Sequence, residues 1–354
     1  MPWYVRHPTH LEATAVKPIA ANTSTRPQRR RTLLQLAALA GIAAMGAAPV
    51  ALAQGAYPNK PVTLIVPYPA GGANDMLGRL IGQKLSEALG QQFIIENKPG
   101  AGTLIGTTAV AKAAPDGYTL LIGGLASFAT SPVLFKADFD PVKDFVGIGI
   151  FGTAPTIAIT YNEAPYKSLK DVVDAAKQKP GTIFYGSSGN GTALHLAGEL
   201  FAIETKTDMK HVPYKGGSAH ILDLIGGRLP VIFDTTTNAT PLIKGGKVRA
   251  LAIASATRTK ELPDVPTYAE AGFPGSTGVT SWYGLFAPAA TPKPVVEKLS
   301  AELAKVLKLP DVDAKLRSVG ITPGTGDYRE VVALIPAEYD KYSKLIKSLN
   351  IKAD

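Results

Sequence analysis

The run Val62-Thr63-Leu64-Ile65-Val66, followed by Pro67-Tyr68-Pro69-Ala70-Gly71-Gly72-Ala73-Asn74-Asp75, decides the reading of this chain. Five apolar or β-branched residues bounded by proline read as a strand. After the loop the period changes to that of a helix: Met76, Leu77, Leu80, Ile81, Leu85 and Leu89 recur on one face, and Gly90 stops the run. Two adjacent glycines reach backbone angles closed to other residues. Consecutive N–H groups can then turn toward one point at the helix N-terminus, where an anion such as a carboxylate is favoured.

The alternation continues outward from that unit. Strand-like Phe93–Glu96, a helix near 104–112 and strand-like Tyr118–Ile122 complete β-α-β-α-β, which predicts a parallel sheet. A second series follows, with strands at Thr156–Thr160, Ile183–Tyr185, His211–Tyr214, Val231–Phe233 and Arg249–Ala254. Helices at Leu169–Gln178, Ala193–Ile203 and Ala219–Ile225 separate them. The tail returns to a strand at Trp282–Ala287 and helices around Val295–Leu307 and Tyr328–Leu349, which complete the first unit. The expected fold is α/β in two lobes, the second inserted into the first. Residues 54–154 plus 279–354 form domain 1 and 155–278 domain 2, with crossings near 152–156 and 277–281 and a cleft between the lobes. Open α/β sheets bind ligands beyond the carboxyl ends of their strands.

Residues 1–53 read as an export signal with an extended N-terminus. Arg29-Arg30-Arg31 precedes an apolar stretch from Leu33 to Ala44 and a small-residue site at Ala51-Leu52-Ala53. The apolar stretch is too short for a spanning helix, which needs roughly 20 such residues, and the arginines leave both the Sec and the Tat route open. The expected location is the periplasm. Five of the nine net positive charges belong to this segment, leaving +4 for the remainder. That surplus forms no basic cluster interleaved with aromatics, so nucleic acid is not an expected partner. With no cysteine in the chain, disulfides, thiolate metal sites and cysteine nucleophiles are excluded.

Four glycine-rich loops stand at strand ends: Tyr68–Asp75, Gly123–Ser127, Gly186–Thr192 and Lys215–Ser218. None keeps the spacing of a dinucleotide fingerprint or the Gly-Lys-Ser/Thr of a P-loop, and no cofactor is expected. His195, His211 and His220 lack metal-ligand spacing, so no metal is expected. Ser187 and Ser188 stand in Gly-Ser-Ser-Gly, which is not a nucleophile elbow. The expected ligand contacts are Tyr68, Ala70, Gly71, Gly72, Asp75, Ser127, Ser187, Ser188, Gly189, Thr192, Tyr214 and Asp234. Asp75 reads either as a contact for an amino group or as a cap of its helix. His195 reads as a structural residue near the cleft.

These residues carry a resemblance to the Bug family, the TctC-like extracytoplasmic solute receptors of tripartite tricarboxylate transport systems. It runs from about Tyr57 to Asp354. Among its segments are YPNKPVTLIVPYPAGGAND at 57–75, IIENKPGAGTLIG at 94–106, YGSSGNGTALHLAGELF at 185–201, HVPYKGGSAHILDLIGGRLPVIFD at 211–234 and WYGLFAPAATP at 282–292. The resemblance implies a type II periplasmic binding protein whose two α/β domains close on a small carboxylate without catalysis. It also implies that backbone groups and water, rather than an arginine clamp, hold that carboxylate, and none of the four loops contains arginine. The chain departs from the family at Gly217-Ser218-Ala219-His220, where many relatives place a proline before the alanine. No contact role is therefore carried over to His220.

The expectation is a monomeric receptor that presents a di- or tricarboxylate, aromatic acid or amino acid to membrane permease subunits. The alternative is an exported enzyme acting on a small carboxylate through Ser187, His195 or Asp234.

Overall fold

The computed structural model describes residues 57–214, 218–274 and 278–352. The export signal read within residues 1–53, and Lys215, Gly216 and Gly217 of the fourth loop, lie outside the described residues.

Strand β1 (Val62–Val66) is central to the first sheet, between β2 (Phe93–Asn97) and β3 (Thr119–Gly124), both parallel to it. Its alternate residues face different layers, as the two-residue period of a strand requires. Val62, Leu64 and Val66 share a core with Leu77, Ile81 and Leu85 of α1 (Ala73–Leu89) and with Val296, Leu299 and Leu303 of α8 (Lys293–Val306). Ile65 turns to the opposite layer, which holds Leu121 and Val110, the latter on α2 (Leu104–Ala111). Burying each such side chain contributes about 1.5–3 kcal/mol. Met76, Leu80 and Leu89 are half-buried at the edge of this core. Gly90 ends α1 in the left-handed region at φ 68°, its N–H donating to the Ser86 carbonyl at 3.0 Å.

A π-helical turn (Ala126–Thr130) and α3 (Ser131–Leu134) lead to β4 (Phe145–Tyr161), the longest strand at 17 residues. Beyond it come α4 (Leu169–Gln178), β5 (Ile183–Ser187), α5 (Ala193–Thr205), β6 (Met209–Pro213), α6 (Ala219–Ile225), β7 (Val231–Thr235), α7 (Thr236–Lys244) and β8 (Val248–Ile253). The chain returns through β9 (Thr280–Pro288) and ends, after α8, with α9 (Pro310–Ser318), β10 (Thr322–Pro323) and α10 (Tyr328–Ser348). Strand order is β2-β1-β3-β9-β4-β7-β5-β6, with β8 and β10 also on β4. Around β1 and around β5 the strands are parallel, whereas β4 and β9 run antiparallel to each other and to their outer neighbours. The parallel sheet expected from the first βα alternation is present in β2-β1-β3, and the sheet as a whole is mixed. Its two antiparallel members are the outgoing and returning crossings between the lobes, which necessarily run in opposite directions.

The crossing near 152–156 is thus the middle of a continuous strand. Gly147, Gly149 and Gly152 make this stretch look like a loop in sequence, and two register shifts accompany them in the pairing with β9. Their absent side chains leave room for close neighbours. A Cβ on Gly147 would stand 2.3 Å from Val331 of α10, and one on Gly149 2.3 Å from the Gly326 carbonyl oxygen. No helix of the described residues is long and apolar enough to cross a membrane.

Backbone cannot retreat as a flexible side chain can, so Gly149→Ala is expected to destabilise the fold by about 1–3 kcal/mol. Thermal unfolding checks this: at about 2–4 °C per kcal/mol for a chain of this size, the midpoint should fall by several degrees. An unchanged midpoint contradicts the close packing of β4 on the 326 loop.

Candidate functional site

A cavity of about 430 Å³ opens where β1, β3, β5 and β7 hand over to their helices, a size suited to a small metabolite. The loop after β1 contributes Tyr68, Ala70, Gly71, Gly72 and Asn74, and the segment after β3 contributes Gly124 to Ala126. From the second lobe come Ser188 and Thr192, then Ser218 and His220, then Thr235 and Asn238. Ser281, Trp282 and Tyr283 of β9 form the remaining wall. None of these described lining residues is Lys, Arg, Asp or Glu. Four helix N-termini reach the cavity: α1 at Gly72–Asn74, α5 at Thr192–Leu194, the short α6 at Ser218 and α7 at Thr235. The first turn of a helix carries N–H groups without intrahelical partners, together with the positive end of its dipole. Neither Gly72 nor Thr235 caps its own helix with a side chain. The wall consequently offers donors and partial positive charge without a formal cation.

Tyr68, Ala70, Gly71, Gly72, Ser188 and Thr192 line this cavity. Asp75 stands behind it. The Gly71 N–H and the Arg79 Nε–H donate to Asp75 Oδ2 at 2.9 and 3.0 Å, and the Asn97 amide donates to Oδ1 at 3.0 Å. Burial acts to raise this carboxyl, but the bonds from Arg79, Gly71 and Asn97 outweigh it and hold it below its ordinary value. The Gly71 N–H is thereby spent on bracing the loop, so the cradle's free donors begin after it. Only Gly71, at φ +83°, occupies the region that favours glycine, whereas Gly72 is extended at φ −82°.

Ser187 and Gly189 belong to an internal brace of the third loop. The Gly189 N–H donates to Ser187 Oγ at 3.1 Å, and the same oxygen lies 2.6 Å from His211 Nε2. His211 stacks on His195 with ring centroids 3.8 Å apart. His195 Nδ1 in turn accepts the Gly191 N–H at 3.0 Å. A serine hydroxyl against an imidazole has the outline of a nucleophile and base. Ser187 is nevertheless fully buried and is not among the residues lining the cavity.

Tyr214 donates to Asp223 Oδ2 at 2.6 Å, and burial together with that carboxylate pushes its hydroxyl up to about 12. Ser127 is buried one residue behind the lining Ala126, with no protein partner for its hydroxyl. Asp234, also fully buried, accepts from the Thr235 N–H at 2.7 Å and the Asn238 amide at 3.0 Å, and pairs with His220 Nε2 at 3.0 Å.

Sequence reasoning passed over Thr235, Asn238, His220 and the β9 wall. Thr235 and Asn238 follow the same logic as the recognised loops, a helix opening directly after a strand. Trp282 and Tyr283 carried only a strand signal, and a lone histidine on a short helix carried none. Among the described residues no group of three His, Asp or Glu side chains could hold a metal ion.

Residues 77–351 match the family TctC, tripartite tricarboxylate transporter family receptor. A UPF0065 protein from the TAR-I ttuE–ttuC' intergenic region of Agrobacterium vitis is 38% identical over 302 residues, covering 84% of this chain and 86% of its own. A structure of an R. palustris protein with adipate is 35% identical with a TM-score of 0.77, and covers 84% of this chain and all of its own. MatC from Rhodopseudomonas palustris with bound malate is 32% identical with a TM-score of 0.73, covering 82% and 100%. The periplasmic binding protein BugD is 33% identical with a TM-score of 0.74, covering 84% and 100%.

The brace of the third loop makes stability depend on pH. Burial, with His195 close by, pushes His211 down from 6.5 to about 3. The unfolded chain takes up a proton near 6.5 that the folded chain refuses until about 3, so stability falls as pH drops through that window. His211→Gln is expected to flatten the decline in thermal midpoint between pH 7 and pH 4. Parallel midpoint curves for the variant and the original protein would remove His211 from that account.

Proposed function

This chain belongs to the TctC family and is a solute-binding receptor of a tripartite tricarboxylate transporter, and we propose that it carries a small organic carboxylate in the cavity between its lobes. The observation that carries this reading is a wall of four helix N-termini without a Lys or Arg among its described residues. Buried N–H groups without partners cost about 1–3 kcal/mol each, and an anionic oxygen at that point satisfies them while meeting the positive ends of the dipoles. Relatives that hold adipate and malate point to the same class of solute.

In this reading Tyr68, Ala70, Gly72, Ser188 and Thr192 touch the ligand through main chain, hydroxyls or bridging water. Gly71, Asp75, Ser127, Ser187, Gly189, Tyr214 and Asp234 shape the loops behind them. Residues 54–154 plus 279–354 and residues 155–278 close as two bodies about the paired crossings. Residues 1–53 direct export to the periplasm and are removed after Ala53. The processed receptor works as a monomer, without cofactor or metal, and delivers its ligand to the permease subunits without chemical change. An enzymatic role has less support, because its best serine lies off the cavity wall.

Calorimetry of the exported protein with adipate, malate and related acids tests this, together with a turnover assay on the same acids. A binding acid present at about 100 times its dissociation constant should stabilise the fold by roughly 2.7 kcal/mol and remain unconverted. Gly71→Val should weaken binding by about tenfold or more, since a β-branched residue at positive φ distorts the cradle at a cost of about 1–3 kcal/mol. Turnover of a bound acid, or full affinity in the valine variant, would contradict the proposal.

A further inference from the structure

His220 differs from every other residue of the cavity wall. It is fully buried, it lines the cavity, and its two ring nitrogens have unequal surroundings. Nε2 faces Asp234 Oδ2 at 3.0 Å, while Nδ1 has no hydrogen-bond partner among the described residues. Asp234 is itself fully buried, and its other oxygen is taken by the Thr235 N–H and the Asn238 amide. We propose that His220, oriented by Asp234, is the specificity-determining residue that donates from Nδ1 to a second carboxylate of the ligand, making the receptor selective for dicarboxylates over monocarboxylates. The inference rests on the carboxylate-receptor reading above and adds the second anchor to it.

The proton count of the pair decides what Nδ1 can do. An imidazolium beside an Asp234 carboxylate is a neutral pair with a hydrogen on Nδ1. A neutral imidazole beside a protonated Asp234, its hydrogen on Nδ1, is neutral as well. Both forms carry a donor hydrogen on Nδ1. With one proton fewer, Nε2 keeps its hydrogen for Asp234, Nδ1 becomes a bare acceptor and the pair carries a net negative charge. That form repels an anion and offers it no donor. A ligand carboxylate therefore needs a hydrogen on Nδ1.

The surroundings leave this proton to the pair. From the β6 side, the Tyr214 ring lies 6.2 Å from the imidazole, but its hydroxyl is committed to Asp223, which also pairs with Arg228. From β5, the missing side chain of Gly186 lets His220 approach, with a Cβ there standing 3.3 Å from His220 Cβ. From β9, Tyr283 feels the Asp234 charge and is pushed up to about 12, chiefly by burial. His211 and His195 belong to the opposite face of β5, with Tyr185, because successive strand residues point to opposite sides.

The test uses calorimetry on the full exported protein with succinate, glutarate and adipate, each against the monocarboxylate of equal length: butyrate, pentanoate and hexanoate. The original protein should prefer at least one diacid over its matched monoacid by about tenfold or more, as expected for a charge-assisted hydrogen bond. His220→Ala should erase the preference by weakening the diacid alone. His220→Gln retains an N–H donor at this position, so it should keep part of the preference. Equal affinity for diacid and monoacid, or a preference untouched in both variants, overturns this inference and leaves the receptor reading intact. Failure of both acid series to bind overturns the two together.

Discussion

The antiparallel pairing of β4 with β9 is the contact on which the rest of this structure depends. Thr153, Ala154 and Pro155 lie opposite Trp282, Ser281 and Thr280, so the two crossings between lobes form one ladder rather than two independent tethers. Each lobe's sheet is built onto it: β3 attaches to β9, and β7 and β8 attach to the far half of β4. Beyond the ladder, the Thr156 N–H donates to the Val279 carbonyl at 2.9 Å. Because Ser281, Trp282 and Tyr283 also line the cavity, the strand that joins the lobes is the same strand that walls the cavity. A solute in contact with β9 is therefore in contact with the axis about which closure would occur.

The second organising feature is the removal of ionised side chains from the cavity wall. Asp75 and Asp234 both lie close to it, and each is turned inward to its own donors. An unscreened carboxylate on that wall would repel an anion in a region of low dielectric, where such repulsion is strong. Tied to backbone and side-chain N–H groups, the same carboxylates fix loop geometry. Asp75 draws Gly71 back against α1, and Asp234 holds the start of α7 and the ring of His220. The described wall is left with main-chain donors, hydroxyls, the Asn74 and Asn238 amides, the Trp282 indole and the His220 imidazole.

A comparable brace lies under the third loop, where Ser187, His211 and His195 interlock through short polar contacts and ring stacking. Ser187, expected from the sequence as a ligand contact, bonds here to His211 and Gly189 beneath that surface. This division into supports and surface is physically reasonable. A loop that presents bare N–H groups has no hydrophobic anchor of its own and must be held by bonds on its hidden side.

The sequence by itself determined the βα units, because strand and helix periods, the glycine after α1 and the apolar face of α1 are local properties that no distant contact overrides. It also pointed to the loops at the strand ends, since Gly71 and its neighbours carry a local signal of special backbone. It did not determine the extent of β4, whose glycines look like a loop until Gly326 and Val331 are seen packed against them. Nor could it separate Ser188, which faces the cavity, from Ser187, which faces His211. Two adjacent serines share one composition, and only the direction of the backbone at that point distinguishes them. The pairing of His220 with Asp234, 14 residues apart in the chain, was likewise decided by tertiary structure, because partners drawn from α6 and the end of β7 meet only when both elements pack on the same sheet.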